Sequence, residues 1–365
     1  NQDKVGAGGF VFEKANTETT YKFTNANGGG GNYFFAGSGL DIGENVKVEW
    51  ALKGVSGDSL HKIGKGELVI TTQNTATTGL GTLKIGEGKV TLDTNKKAFD
   101  NIYITSGRGE LALKQAEALG ATKDNTNSAS GATSYTLSQD KNSEMGFYFG
   151  KGGGKFDLAG NSLVLNTIAA NDSKAIITNS DTGQAVDLEI QGLGYENNKK
   201  TSTKADTIIH ASIGDNTNSA NGANLNLIYN GDKTPINRHS ERSEESISTN
   251  LVDSSATLSP QNDSTASLIF DGHINIKGEL KATNANIVLQ GHPTTHATIS
   301  DEKIREQITK AESGTSAAMP DYMDLSKPSN LNQPDWDSRN FTIGGGINLT
   351  NTTLTVGQAA NLKAD

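Results

Sequence analysis

Cysteine is absent from the 365 residues of this chain, which excludes a disulfide scaffold and a thiolate zinc site. Hydrophobic residues make up only 33% of the sequence, and no stretch approaches the roughly 18 apolar residues of a membrane-spanning helix. Lys and Arg total 32 against 41 Asp and Glu, for a net charge of −9. Because the cations are scattered rather than clustered, nucleic acid is not expected as a partner.

The first residues also lack features of a protein start. Asn1 to Val5 contain no initiator methionine, and no charged segment followed by an apolar one comes after them. We therefore expect the chain to be an internal segment of a longer protein. Gly, Asn, Thr and Ser dominate the composition, which favours short strands joined by turns over a thick globular core.

A short pattern recurs along the first third of the chain. Lys62–Ile70 reads KIGKGELVI, and the pattern returns at Lys84–Leu92 as KIGEGKVTL. A shorter copy, GRGELAL, occupies Gly107–Leu113, where Gly109 takes the place of Gly88. The sequence therefore has a period of about 21–22 residues, which lies in the range of solenoid repeats.

Each copy ends in two apolar residues separated by one position, and these residues lie on one face of a strand. The pairs are Leu68 and Ile70, Val90 and Leu92, and Leu111 and Leu113. One strand cannot bury that face alone, whereas stacked copies close a continuous core. The predicted fold is all-β, a right-handed parallel β-helix of about 21–22 residues per coil with loop insertions.

Similar alternating segments continue through the chain and predict further strands. They include Phe156–Leu158, Leu163–Leu165, Val186–Ile190, Leu225–Leu227, Ile274–Ile276, Leu280, Ile287–Leu289, Phe341–Ile343, Ile347–Leu349 and Leu354–Val356. With about 300 residues in coils that rise about 4.8 Å each, the rod would be on the order of 65 Å long.

Three stretches interrupt the pattern. Residues 120–143 and 230–263 are polar and predict loops, and a short helix is expected after Ser300 at the start of a 300–340 excursion. We accordingly divide the chain into a β-helix segment over 1–235, a low-complexity insertion over 236–262, and a β-helix continuation over 263–365.

Two glycine-rich motifs resemble sites of known chemistry but are interpreted as turns. Ser59 follows Gly57-Asp58, as in a serine protease nucleophile loop, but Leu60 replaces the second glycine of that loop. His61 is two residues away on the same side of the predicted strand. The segment 150–155, GKGGGK, lacks the order of a phosphate-binding loop.

Candidate metal and carboxylate sites are also weak. His292 and His296 are four residues apart, but Pro293 between them argues against a helical metal pair. Asp157 and the pair Asp187 and Glu189 could line one face as in a polysaccharide-degrading enzyme, although outward-facing acids are ordinary on a solvated strand. We predict no catalytic, cofactor-binding or metal-binding residues.

Several segments resemble the passenger of IgA-protease and Hap-like autotransporters, the S6 peptidase family. They are Leu60–Gly66, Ile85–Gly88, Lys97–Phe99, Ser106–Gly109, Phe156–Leu163, Leu289–Ala297 and Asp335–Phe341. They occur in family order over roughly residues 55–360. The nucleophile loop, its upstream His and Asp, and the C-terminal membrane barrel of the family have no counterpart here.

The resemblance implies a structural stalk that presents an N-terminal serine protease domain at the bacterial surface. The stalk itself would not be an enzyme, although its parent would be an S6-type serine endopeptidase. Implied partners are that protease domain, the membrane barrel, and host surface or matrix components. The implied location is secreted or at the cell surface, reached through the periplasm and outer membrane. Two alternatives stay open: an adhesin or self-association rod, and a β-helical polysaccharide-degrading enzyme.

Overall fold

The computed structural model describes eleven stretches of the chain. They are residues 9–23, 39–51, 59–71, 81–124, 134–136, 146–183, 185–196, 199–214, 222–232, 265–294 and 335–364. Short strands dominate these stretches, as the alternating segments predict.

In chain order the strands are β1 (Gly9–Phe12), β2 (Thr19–Phe23), β3 (Gly39–Ile42), β4 (Val46–Trp50), β5 (Ser59–Ile63), β6 (Glu67–Ile70), β7 (Thr82–Ile85), β8 (Gly88–Leu92), β9 (Asn101–Ile104), β10 (Gly109–Leu113), β11 (Thr122–Asp124), β12 (Ser134–Thr136), β13 (Gly146–Phe149), β14 (Gly154–Asp157), β15 (Ser162–Leu165), β16 (Ala175–Thr178), β17 (Val186–Ile190), β18 (Leu193–Glu196), β19 (Lys199–Lys204), β20 (Thr207–Ile209), β21 (Ser212–Ile213), β22 (Leu225–Asn230), β23 (Ser267–Phe270), β24 (Ile274–Ile276), β25 (Leu280–Thr283), β26 (Asn286–Leu289), β27 (His292–Thr294), β28 (Asp335–Asp337), β29 (Arg339–Ile343), β30 (Ile347–Thr350), β31 (Thr353–Val356) and β32 (Ala360–Ala364). A single turn of 3₁₀ helix, Ala116–Leu119, follows β10.

Four sheets run along the molecule, and nearly all of their strand pairs are parallel. Sheet A joins β1-β3-β5-β7-β9-β13, and sheet B joins β2-β4-β6-β8-β10-β14-β16-β21-β24-β29-β32. Sheet C joins β11-β12-β15-β17-β22-β25-β30, and sheet D joins β20-β23-β26-β31. Two antiparallel hairpins, β18-β19 and β27-β28, stand apart from these sheets. The predicted parallel β-solenoid is confirmed.

Sheet B shows the length of an uninterrupted coil. Lys47 pairs with Glu67, Glu67 with Lys89, and Lys89 with Glu110. These steps along the chain agree with the period of about 21–22 residues found in the sequence. The eleven strands of sheet B are separated by ten steps, so the stack is about 48 Å long.

Later coils are longer because they contain insertions. Ile213 pairs with Ile274, and Ile274 pairs with Phe341. Each of these steps contains about three times as many residues as an uninterrupted coil. The predicted insertion over 236–262 lies outside the described residues, as does the predicted helix after Ser300. The insertions use residues without adding steps to the stack, which explains why its length is about 48 Å and not the roughly 65 Å expected from chain length.

The core is a set of inward-facing columns that run the length of the solenoid. The sheet B column, in register order, is Val48, Leu68, Val90, Leu111, Phe156, Ile177, Ile213, Ile274 and Phe341. Every member is at most 1% exposed. The inward orientation predicted for Leu68, Val90 and Leu111 is therefore correct.

The polar stretch 120–143 is not entirely loop. Its residues Thr122–Asp124 and Ser134–Thr136 form strands, and the second pairs in parallel with β15. Residues 339 and 340, assigned to the excursion, already belong to β29 of sheet B. Within the described residues, no helix is long and apolar enough to cross a membrane.

The repeated KIG motif does not superpose in sheet A as the sequence suggests. Lys62 pairs with Ile85 rather than with Lys84, so β5 and β7 are shifted by one position from the register of the motif. Because alternate residues face opposite sides of a strand, this shift turns Lys62 into the core and leaves Ile63 49% exposed. The cause is the corner before the next strand, which places three residues between Lys62 and Gly66 but only two between Ile85 and Gly88.

The buried Lys62 ammonium donates to carbonyls of that longer corner and of the neighbouring β7–β8 corner. Its acceptors are Gly64 O, Gly66 O at 2.6 Å and Glu87 O at 2.9 Å. Buried main-chain carbonyls need partners, and the lysine supplies one to each of these three, although Gly66 O also accepts from Lys89 N at 3.2 Å. Burial lowers the pKa of Lys62 to about 8, opposed by the carboxylates of Glu87, Asp41 and Glu67.

Candidate functional site: outer ladders and a His-Asp-His corner

The outer face of sheet B carries a ladder of alternating charge. Lys47, Glu67, Lys89, Glu110 and Lys155 occupy one register position on five successive strands. Ion pairs join Lys47 to Glu67 at 3.9 Å, Lys89 to Glu110 at 3.3 Å, and Lys155 to Glu110 at 3.8 Å. Opposite charges on neighbouring strands favour this register and disfavour slips that bring like charges together.

The outer face of sheet A carries two tyrosine rings beside a lysine and a histidine. His61, Lys84, Tyr103 and Tyr148 share one register position on β5, β7, β9 and β13. The two tyrosine rings stack with centroids 4.9 Å apart and an interplanar angle of 17°. Burial, and then the nearby charge of Lys84, lower the pKa of His61. This surface can offer aromatic contacts to a partner.

A histidine-carboxylate cluster occupies the corner between sheets D and B. His210 follows β20, Asp271 follows β23, and His292 begins β27 just after β26. The strands β20, β23 and β26 are neighbours in sheet D, so the three residues come from three successive coils. Register pairing of Ile209 with Phe270 brings the residues after them together.

The side chains of the cluster converge on the Asp271 carboxylate. His210 Nδ1 lies 2.8 Å from Oδ1 and 2.9 Å from Oδ2, and His292 Nδ1 lies 3.0 Å from Oδ2. The carboxylate is 3% exposed, whereas the imidazoles are 34% and 26% exposed. The rings meet edge to face with centroids 5.9 Å apart. The cluster is thus buried at its acid and open to solvent at its histidines.

Neighbouring residues hold Asp271 in this position. Arg339 Nε donates to the main-chain oxygen of Asp271 at 2.8 Å. Gly272 lies so close to the backbone of Ala211 that a Cβ at this position would clash, so the glycine permits the close approach of the two corners. Burial, followed by the charge of Arg339, lowers the pKa of the adjacent His273.

The two glycine-rich motifs differ in what the structure describes, because Gly57 and Asp58 lie outside the described residues whereas the turn expected at 150–155 is observed. Ser59 opens β5, and both Ser59 and His61 are on its outward face. Residues 150–153 form the turn between β13 and β14, with Gly153 N donating to Gly150 O at 2.9 Å. His296 lies outside the described residues, and His292 is joined instead to His210 through Asp271.

The three candidate carboxylates of a polysaccharide-degrading enzyme lie in different settings. Asp157 belongs to sheet B, is 1% exposed, and accepts hydrogen bonds from the main-chain N–H groups of Ala159 and Ser180. Asp187 and Glu189 are on the outward face of β17 in sheet C. Since Asp157 caps a turn from inside the molecule, it does not share a face with the other two.

Sequence reasoning missed the cluster of His210, Asp271 and His292. Its members are 61 and 21 residues apart, which matches no ligand spacing within one helix or loop. A usable signal does exist, because each residue comes within three positions after an apolar strand segment of sheet D. Recognising that signal requires knowing that those three strands are stacked neighbours.

Comparison with known proteins places this solenoid among bacterial autotransporters. Residues 255–365 match the family model described as the PIC/HAP1/IgA0 second beta-solenoid repeat region. The chain is 28% identical over 382 residues to the serine protease EspC of Escherichia coli O127:H6, covering 100% of this chain and 23% of that protein. It is 30% identical over 308 residues to the adhesion and penetration protein autotransporter of Haemophilus influenzae, covering 81% of this chain and 18% of that protein.

A solved structure shows the same architecture. The passenger domain of the plasmid-encoded toxin of enteroaggregative Escherichia coli aligns with a TM-score of 0.59 and 25% identity, covering 97% of this chain and 31% of that one. The chain spans less than a quarter of the length of the two curated relatives named above. The chain belongs to the passenger β-solenoid of the IgA-protease and Hap-like autotransporters, which are secreted or displayed at the bacterial surface.

Proposed function

We propose that this segment is a structural stalk that holds an N-terminal serine protease domain away from the outer membrane. The observation that carries the proposal is the eleven-stranded parallel sheet B, which continues past every insertion. Each strand is hydrogen-bonded to the next, and the column from Val48 to Phe341 is buried throughout. Such a stack resists bending because a bend would open both the ladder and the core.

The named relatives support the protease half of the proposal. EspC is named a serine protease, and its matched region is the length of one passenger segment rather than of the whole protein. We infer that the parent of this chain is likewise a protease whose catalytic residues lie outside the 365 residues. The solenoid would also serve folding during secretion, since each coil presents an edge on which the next one can pair.

A whole-coil deletion in the full-length parent tests the stalk role. Removing residues 67–88 joins Gly66 to Lys89, and the sheet B register is kept because Glu67 and Lys89 are register partners. A spacer loses about 4.8 Å of length and nothing else. We expect normal secretion and unchanged kcat/KM of the parent protease on a short peptide.

The matched control removes one residue more, 67–89. It places every following residue of that strand on the wrong face, and we expect loss of secretion or a much lower unfolding midpoint. If the in-register deletion folds and is secreted but abolishes peptide cleavage, this coil takes part in catalysis and the spacer proposal is wrong.

A second candidate function is self-association or adhesion at the surface of the rod. Exposed asparagines pair across coils at two places near the end of the chain. Asn361 donates to Asn340 at 3.1 Å on the outer face of sheet B, and Asn351 donates to Asn284 at 2.8 Å at the corner between sheets C and D. Such exposed amide pairs can continue onto a second rod. One relative, from Haemophilus influenzae, is named an adhesion and penetration protein.

Charge at those pairs distinguishes the two candidates. We expect Asn351→Asp with Asn361→Asp to abolish concentration-dependent association in sedimentation velocity if these two asparagine pairs are adhesive. A passive spacer would sediment as the same monomer with and without the substitutions. Circular dichroism of the variant controls for folding.

A further inference from the structure

We propose that His210, Asp271 and His292 form a binding site for one Zn²⁺ ion that ties three successive coils together. One potential ligand atom from each residue lies within 4.8 Å of the others. This proposal departs from the expectation, drawn from the sequence, that the chain has no metal ligands. It is independent of the stalk role, because a spacer needs no metal.

The distances suit a tetrahedral ion after a small adjustment. Zinc bonds imidazole nitrogen and carboxylate oxygen at about 2.0–2.1 Å, which separates two ligand atoms by about 3.3 Å at a tetrahedral angle. The imidazole nitrogens now lie 2.8–3.0 Å from the carboxylate oxygens. Zinc would replace the shared protons, and the side chains would move apart by a few tenths of an ångström.

The chemistry of the ligands selects among metals. Imidazole nitrogen favours zinc and the neighbouring transition metals, whereas calcium and magnesium take mainly oxygen ligands. Two histidines and one carboxylate supply three ligands and leave one position for water. Water has access, since both imidazoles are about a third or a quarter exposed.

The charges around the site include both groups that favour and a group that opposes the binding of a cation. The buried Asp271 carboxylate attracts a cation, while the guanidinium of Arg339 nearby opposes one. Arg339 Nε bonds to the main-chain oxygen of Asp271. It therefore positions the residue without neutralising the carboxylate through that bond. Asp337, exposed and paired in register with His292 in the β27-β28 hairpin, adds a second negative charge at the rim.

A bound ion would act where two neighbouring coils are joined by a long connecting segment. His210 and Asp271 are 61 positions apart in the chain, compared with 21 for Asp93 and Lys114, which pair across an uninterrupted coil. An ion that bonds to both His210 and Asp271 would constrain the ends of that long segment. Because the site exists only in the folded stack, binding would add to the free energy of unfolding.

Titration of the chelator-treated chain with ZnCl₂ tests the proposal. We expect one ion per chain by isothermal titration calorimetry and a saturable rise in the thermal midpoint. We also expect Co²⁺ at the site to give the visible absorption bands of a four-coordinate ion. Asp271→Asn and His292→Gln should each weaken zinc binding by more than the roughly 10- to 100-fold that follows loss of a residue that only orients a ligand.

His61→Gln is the matched control, because His61 lies on the outer face of sheet A away from the cluster. This variant should bind zinc as the unaltered chain does. If Asp271→Asn fails to fold, the more exposed His210 is changed to Gln instead. Absence of stoichiometric binding, or equal binding by the cluster variants and the His61 control, overturns the proposal.

Discussion

The corners β5–β6 and β7–β8 carry nearly the same letters and differ in geometry. In sheet B the two copies superpose with Glu67 beside Lys89, while in sheet A they slip by one residue so that Lys62 lies beside Ile85. One additional corner residue accounts for the slip. The comparison shows that corner length, rather than the strand motif, decides which residue of a solenoid strand enters the core.

Truncation of two isoleucines should give the largest difference between the two corners and tests the register of β5 against β7. Ile85→Ala removes a fully buried side chain and should cost roughly 2–5 kcal/mol of unfolding free energy. Ile63→Ala, at the position that the sequence motif aligns with Ile85, changes a 49% exposed residue and should cost roughly 0.5 kcal/mol or less. Urea unfolding measures both, and equal losses would show that β5 and β7 are in the motif register.

Lys62→Met should have the next largest effect. The variant keeps the volume but leaves the carbonyls of Gly64, Gly66 and Glu87 without the ammonium donor, at a cost of roughly 1–3 kcal/mol. Lys62→Ile combined with deletion of Lys65 shortens the corner to the β7–β8 length. We expect this double change to recover most of the lost unfolding free energy. If it does not, the length of the corner is not the reason that a lysine is needed at position 62.

The pH dependence of stability provides a separate test that Lys62 is buried. The pKa of Lys62 is about 8 in the folded chain and 10.5 in its ordinary state. Between these values the unfolded chain binds more protons, so the contribution of Lys62 to the unfolding free energy rises with pH. The difference in unfolding free energy between the unaltered chain and Lys62→Met, measured across this pH range, isolates the contribution of Lys62. An identical pH slope in both proteins would contradict the assignment.

The smallest effect is expected on the outer ladder of sheet B. Glu110→Lys sets a third cation between Lys89 and Lys155 and should cost roughly 0.5–1 kcal/mol. Glu110→Gln removes the attraction without adding repulsion and should cost less. Added salt should narrow the gap between the two variants in urea unfolding, because both pairs are partly exposed.

Much of the fold could be predicted because its signals are local. Alternating apolar segments such as Val186–Ile190 and Ile274–Ile276 coincide with β17 and β24. The loop predicted from polar composition is wrong at Thr122–Asp124 and Ser134–Thr136, where polar residues form strands. The β12 strand pairs with β15, so its backbone hydrogen bonds come from a neighbour that the local sequence does not reveal.

The candidate site was beyond sequence reasoning for a related reason. His210, Asp271 and His292 belong to different coils, and the residues between the first two exceed one uninterrupted coil by a large insertion. No fixed spacing could indicate that they meet. Their contact depends on which strands of sheet D are neighbours, a property of the stack as a whole.

The sequence by itself determined the period, the β class, the inward apolar pairs of sheet B and the likeness to autotransporter passengers, because each depends on residues close together in the chain. Tertiary structure alone decided that Lys62 faces inward, that the insertions leave sheet B unbroken, and that two histidines meet one buried aspartate. The physical reason is that a solenoid pairs each strand with residues one coil away. Corner and insertion lengths therefore select partners that no local pattern encodes.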